Sequence, residues 1–160
     1  MRTFLCFSVM AVGVMMAAER PDLNGNWQLD AAHSQTDEAL KSATLTIDQK
    51  DDSIQISRAL MDNSNQEKKF QLQCSTDGKQ CKVEDEGHPA QVRMWYNGAM
   101  LVMIETRGHD NDIVTKERIK TSDDGKSLSV EVIHISPPGS KNETFTYTKQ
   151  PSTAASTGSL

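Results

Sequence analysis

A carboxylate and an imidazole, Glu117 and His134, have the best claim to chemistry in this chain, and they flank one turn pair, Asp124-Gly125. Folded about that turn they share a face, diagonally placed, where Cα atoms lie roughly 7–8 Å apart. Such a pair can orient the polar head of a bound molecule. The blander outcome is that each is satisfied locally, or that a bulge turns one outward. Arg58 is in phase with Ile54, Ile56 and Leu60, and Glu105 with Leu101 and Met103, so both are charged residues near the ends of apolar alternations. Templates for catalysis and metal binding fail. The histidines, His33, His88, His109 and His134, are scattered without metal-type spacing. His109-Asp110-Asn111-Asp112 reads as a solvated hairpin tip. There is no Gly-x-Ser-x-Gly elbow, no phosphate loop and no free cysteine beside a base, so Glu117 and His134 lack a nucleophile. The expectation is a binding protein, with no catalytic residue, cofactor or metal.

The elements that must position these residues are strands. After residue 20, runs of seven to ten residues rich in Ser, Thr, Val and Ile alternate with turn pairs, the pattern of an antiparallel meander. The runs predict ten strands at 24–30, 42–50, 53–61, 66–75, 80–86, 89–97, 99–106, 112–121, 127–136 and 142–150. A short helix is expected within 31–41, and residues 151–160, without apolar pattern, are expected to be a disordered tail. Three turns set registers. A two-residue turn at Asp77-Gly78 would pair Thr76 with Lys79, Cys74 with Cys81 and Leu72 with Val83. The two cysteines then face each other at a spacing a disulfide accepts. Asn97-Gly98 would pair Met94 with Leu101 and Val92 with Met103. Asp124-Gly125 would set Arg118 opposite Glu131, with Glu117, Ile119, Val130, Val132 and His134 on the other face. Ser75-Thr76-Asp77-Gly78-Lys79 and Ser122-Asp123-Asp124-Gly125-Lys126 read as one turn solution used twice.

Ten meandering strands leave two exposed edges unless the sheet closes, so an all-β, up-and-down barrel is the expected fold, with an open half-barrel or a two-layer sandwich as alternatives. The opening Gly25-Asn26-Trp27-Gln28-Leu29-Asp30, the short excursion after it and the consecutive hairpins resemble the calycin barrels, the lipocalins and fatty-acid-binding proteins. They also resemble an uncharacterised subgroup of secreted bacterial lipocalin-like domains, with Asp-Gly-Lys-x-Leu turns. The resemblance covers the layout of residues 23–150 and implies a cavity for a small apolar molecule, with Trp27 plugging one end. The pattern departs at two places. The residue over that tryptophan would be Lys149 where lipocalins have Arg, and Tyr147 is preceded two residues earlier by Phe145 where fatty-acid-binding proteins have Arg. On this reading Met94, Met103, Glu117, Val132, His134 and Tyr147 bind the ligand, with Val130 and Phe145 also lining the cavity.

The segment 99–106 is apolar on both faces, because Trp95, Met100, Val102 and Ile104 lie opposite the core residues. Either the domain covers both faces itself, or Trp95, Met100 and Ile104 form a surface for a protein partner, as on a hydrolase inhibitor. The N-terminus points outside the cytoplasm. Arg2, the apolar run Phe4–Ala18, and the small Ala17 and Ala18 before Glu19-Arg20-Pro21 form a cleavable secretory signal over residues 1–18. Cys6 would leave with it, and Cys74 and Cys81 would pair in an oxidising compartment. Residues 19–150 then form a single domain with a real core. Removing Arg2 leaves 16 basic against 22 acidic residues, a net charge of −6, which argues against a nucleic-acid partner. No second long apolar stretch predicts a membrane span. The two surviving functions are an extracytoplasmic, periplasmic or secreted, carrier of a small apolar or amphipathic molecule, and a protein-binding module.

Overall fold

The computed structural model describes residues 20–36, 40–85, 87–108, 110, 112–138 and 142–151. The expected leader, nearly all of the expected tail, and His109 and Asn111 of the hairpin tip lie outside the described residues. Ten strands form: β1 (Gly25–Leu29), β2 (Leu40–Lys50), β3 (Ser53–Asp62), β4 (Glu67–Ser75), β5 (Asp77–Asp85), β6 (His88–Asn97), β7 (Met100–Arg107), β8 (Ile113–Thr121), β9 (Ser127–Ser136) and β10 (Glu143–Lys149). Their order in the sheet is β4-β3-β2-β1-β10-β9-β8-β7-β6-β5, antiparallel throughout. The meander is closed by β1 pairing with β10, which leaves β4 and β5 as the two edges of a nearly closed barrel. Period-two alternation fills the interior. On β2, Ala43, Leu45 and Ile47 are buried while Thr44, Thr46 and Asp48 are exposed, and β9 buries Leu128, Val130 and Val132 in the same way.

Among the described residues between β1 and β2 the short helix is one 3-10 turn, Ala31–His33, capped by Asp30, whose side chain accepts from the His33 N–H. Two expected registers are corrected. The turn between β6 and β7 is centred on Gly98-Ala99, so Asn97 faces Met100 and Met94 faces Met103. Gly98 takes positive φ at the first central position, a glycine-first turn in place of the Asn-Gly form. The two-residue shift keeps every side chain on its expected face.

The second correction concerns Asp77-Gly78, which makes no two-stranded ladder among the described residues. The Thr76 N–H donates to Asp52 O at 2.8 Å, and Asp77 already stands opposite Trp95 of β6. Cys74 and Cys81 are nevertheless joined, with Cα atoms 5.9 Å apart, so the disulfide ties the two sheet edges across the seam.

One end of the barrel is shut by the N-terminal segment. Trp27 is buried and its indole N–H donates to Leu23 O at 3.1 Å. Gln49 holds this segment by accepting from the Leu23 N–H and donating to Pro21 O and to the Tyr96 hydroxyl. Lys149 lies opposite Trp27 in the ladder, with Nζ 5.1 Å from the ring centroid, a cation–π contact. Gly25 explains the Gly-x-Trp spelling: its φ is +136°, and a Cβ there would come within 2.9 Å of the Lys149 Cε.

Candidate functional site

The interior divides along the barrel axis. Toward the shut end, Trp27, Leu45, Ile54, Ile56, Met94, Leu101, Met103, Ile119, Leu128 and Val130 pack as one core. Toward the other end lies an open cavity of about 230 Å³. Its apolar walls come from Leu60 of β3, Phe70 of β4, Val132 of β9 and Phe145 of β10. Its polar lining comes from Arg58, Glu105, Arg107, Thr115, Glu117, His134 and Glu143, with Lys68 and Lys69 exposed at the rim.

The boundary between the two halves is an ion pair. Arg58 Nη1 donates to Glu117 Oε1 at 2.7 Å, and Nη2 donates to Oε2 of the same carboxylate. Four strands separate β3 from β8 in either direction around the wall, so the pair spans the barrel from opposite sides. Side-chain exposure is 16% for Arg58 and 7% for Glu117. Phe70, opposite Arg58 in the ladder, places its ring centroid 5.9 Å from the guanidinium carbon. Burial alone would lower the Arg58 pKa, but the charge of Glu117 and its hydrogen bonds more than reverse this, so the guanidinium keeps its proton more tightly than usual. Beside the pair, burial pushes the Tyr147 hydroxyl up to about 12, with Arg58 opposing that rise and Glu117 adding to it. A bidentate, buried pair of this kind is a fixed dipole offering both N–H donors and carboxylate lone pairs.

Of the residues read from the sequence as ligand-binding, Glu117, Val132 and His134 line the cavity. Met94 and Met103 are fully buried in the packed core below it, and Tyr147, 3% exposed, is buried in that core beside the ion pair. Glu117 and His134 line the same cavity but hold different partners. Glu117 is taken by Arg58, while His134 Nε2 lies 3.5 Å from Glu143 Oε2. Arg58, in phase with Ile54 and Ile56, lines the cavity as an inward-facing cation. Leu60, Phe70, Arg107, Thr115 and Glu143 carry no joint signal in the sequence, because they converge only when five strands, β3, β4, β7, β8 and β10, meet at one end. Trp95, Met100 and Ile104 sit on the outer wall, half-buried, around Val102, which is 3% exposed. Arg118 and Glu131 continue that outer row and pair at 3.0 Å. Among the described residues no cluster of His, Cys, Asp and Glu is arranged to hold a metal, and no helix is long and apolar enough to cross a membrane.

A nearly closed antiparallel barrel of ten strands, open at one end, matches the fatty-acid-binding-protein-like fold. Solved structures of that fold superpose over most of this chain. The fatty acid transporter REP1-NXSQ matches with a TM-score of 0.59 and 12% identity, covering 81% of this chain and 97% of its own. The fluorescent protein UnaG matches with a TM-score of 0.60 and 17% identity, covering 80% and 97%. A Schistosoma mansoni fatty acid binding protein, in complex with arachidonic acid, matches with a TM-score of 0.59 and 12% identity, covering 80% and 96%. At these identities the likeness is one of fold. No protein-family model matches the sequence, and no curated protein matches it either.

Proposed function

We propose that the protein is an exported carrier that holds one small amphipathic molecule in the open end of its barrel, acting by binding and not by turnover. The observation that carries this reading is the contrast between the two halves: a close-packed core below the Arg58–Glu117 pair, and above it a cavity of about 230 Å³ with apolar walls and a polar floor. Apolar walls with a few fixed polar groups are the usual make-up of a small-molecule site. The volume is below the roughly 300–1,000 Å³ common for such sites, so the reading favours a compact molecule, or one whose far end emerges at the mouth. Binding of fatty acid by two of the superposed proteins adds support at the level of fold. Export is supported by the apolar leader Phe4–Ala18 and by the Cys74–Cys81 disulfide.

One preparation tests both parts. Protein expressed with its leader is recovered outside the cytoplasm and weighed intact; a mature chain beginning within about two residues of Glu19 is expected, and retention of Met1 would refute cleavage. The same material is titrated with an environment-sensitive fluorophore and a panel of amphiphiles. A bound amphiphile should displace the probe and raise Tm, with a stabilisation of about 2.7 kcal/mol when free ligand is a hundredfold above Kd. Failure of the whole panel on both readouts sinks the carrier reading and leaves the outer stretch of Trp95, Met100 and Ile104 as the surface to test against protein partners.

A further inference from the structure

The charge of the cavity floor says which head group the ligand carries, given the carrier reading above. An internal arginine facing an apolar cavity would ordinarily receive a carboxylate. Here that role is already filled from within the protein: Glu117 reaches from the opposite wall and takes two guanidinium N–H groups of Arg58 side by side. The guanidinium carbon also lies over the Phe70 ring, 5.9 Å from its centroid. Between floor and rim the walls carry two more carboxylates, Glu105 of β7 and Glu143 of β10, against one further guanidinium, Arg107. His134 stands beside Glu143. The lysines of the lining, Lys68 and Lys69, are exposed at the rim, where water screens them, and Lys69 is paired with Glu67 at 2.9 Å.

An anionic head brought down to this floor would lose its hydration beside a cation that is already neutralised and near other negative charges. A buried charge without its own partner is costly, and a proton has to be taken up with the ligand to relieve it. A neutral head with both a donor and an acceptor meets no such conflict. Each Glu117 oxygen has further lone pairs to accept an N–H or O–H, and a guanidinium carries five N–H donors, of which Glu117 uses two. We infer that the cavity selects an amphiphile with an uncharged hydrogen-bonding head, a primary amide or an alcohol, and discriminates against the carboxylate of the same chain length, because the Glu117 carboxylate occupies the Arg58 site from inside the fold.

The experiment is a calorimetric titration of the mature protein at neutral pH with octanamide, octanol and octanoate, in two buffers of different ionisation enthalpy. The expected result is that octanamide and octanol bind about tenfold or more tightly than octanoate, the equivalent of one charged hydrogen bond left unmade. Octanoate, where it binds, should draw about one proton from the buffer, since charge neutrality at the floor then requires it. In Glu117→Gln the gap should close, with octanoate gaining about tenfold and binding without proton uptake, as Arg58 then lacks its paired carboxylate. Should that variant fail to fold, the ranking and proton count of the native protein decide the matter alone. Octanoate binding as tightly as octanamide with no proton taken up would overturn the inference while leaving a carrier. Binding of none of the three, and of no fluorophore, would remove the carrier reading and the inference with it.

Discussion

Tyr147 is the residue whose burial can be followed by pH. Its hydroxyl is buried beside Arg58 and Glu117, and burial raises its pKa to about 12 from an ordinary value of 10.0. A group whose folded pKa lies above its unfolded value contributes stability that is fully present below the unfolded value and is lost as pH rises toward the folded one. The native protein should therefore lose about 2–3 kcal/mol between pH of about 10 and about 12 through this residue. Chemical denaturation across that window checks it, with Tyr147→Phe as the control because phenylalanine cannot ionise. Equal alkaline losses in the two proteins would mean that other groups, such as the lysines, cause the whole effect. The same neighbourhood shows where residue-level reading ran out. The inward phase of Arg58 was visible beside Ile54 and Ile56, but its partner stands 59 residues away on the far wall. No spacing rule announces a pair made only when the sheet curves round, whereas hairpin spacing brings the nearer imidazole, His134, onto the face of Glu117.

At the scale of elements, local turn chemistry was legible and its consequences for pairing were only partly so. Ser75, Asp77 and Lys79 repeat the arrangement of Ser122, Asp124 and Lys126: the serine hydroxyl donates to the aspartate at 2.6 Å in both, and the lysine N–H donates to it at 3.0 Å in both. Around Asp124-Gly125 this turn closes β8 on β9 in the expected register, down to Arg118 opposite Glu131. Around Asp77-Gly78 the same turn merely redirects the chain, because β4 is satisfied by β3 and β5 by β6. A turn motif fixes the path of four or five residues; whether the arms then pair depends on competing partners that only the whole sheet supplies. The disulfide therefore holds two edges that lack a ladder. By loop closure alone its contribution is limited to about 2–3 kcal/mol, since the bridged residues are seven apart. Reduction, or replacement of both cysteines by serine, is expected to lower stability by no more than that and to speed amide exchange at the β4–β5 seam while β8 and β9 keep their protection. Loss of protection throughout the barrel would show that the seam, and not the closed wall, holds the fold.

For the molecule as a whole, the barrel and its strand count followed from alternation and edge avoidance, whereas the division of the interior did not. Apolar residues facing inward look alike in sequence whether they touch one another or border a cavity, so Met94 and Met103 carry the same pattern as Val132. What separates them is distance along the axis from the end shut by Leu23 and Trp27. Below the Arg58–Glu117 pair, side chains from all around the wall meet and fill the space; above it they stop short, and charged residues take over the lining. Stability and binding should accordingly segregate along the axis. Met103→Ala removes a side chain that is 1% exposed within the packed half, and should cost about 2–5 kcal/mol through lost burial and the void left behind. Its effect on ligand affinity, measured well below the melting transition, should be small. Leu60→Ala trims a half-buried side chain at the cavity wall and should cost about 1 kcal/mol or less in stability. It removes apolar contact from the ligand, however, and should weaken an amphiphile severalfold. Denaturant titration and probe displacement on the two variants give the comparison. The axial division fails if Leu60→Ala unfolds the protein as readily as Met103→Ala, or if Met103→Ala abolishes binding in a chain that remains folded, since either result would place the ligand deep among the methionines and not above the ion pair.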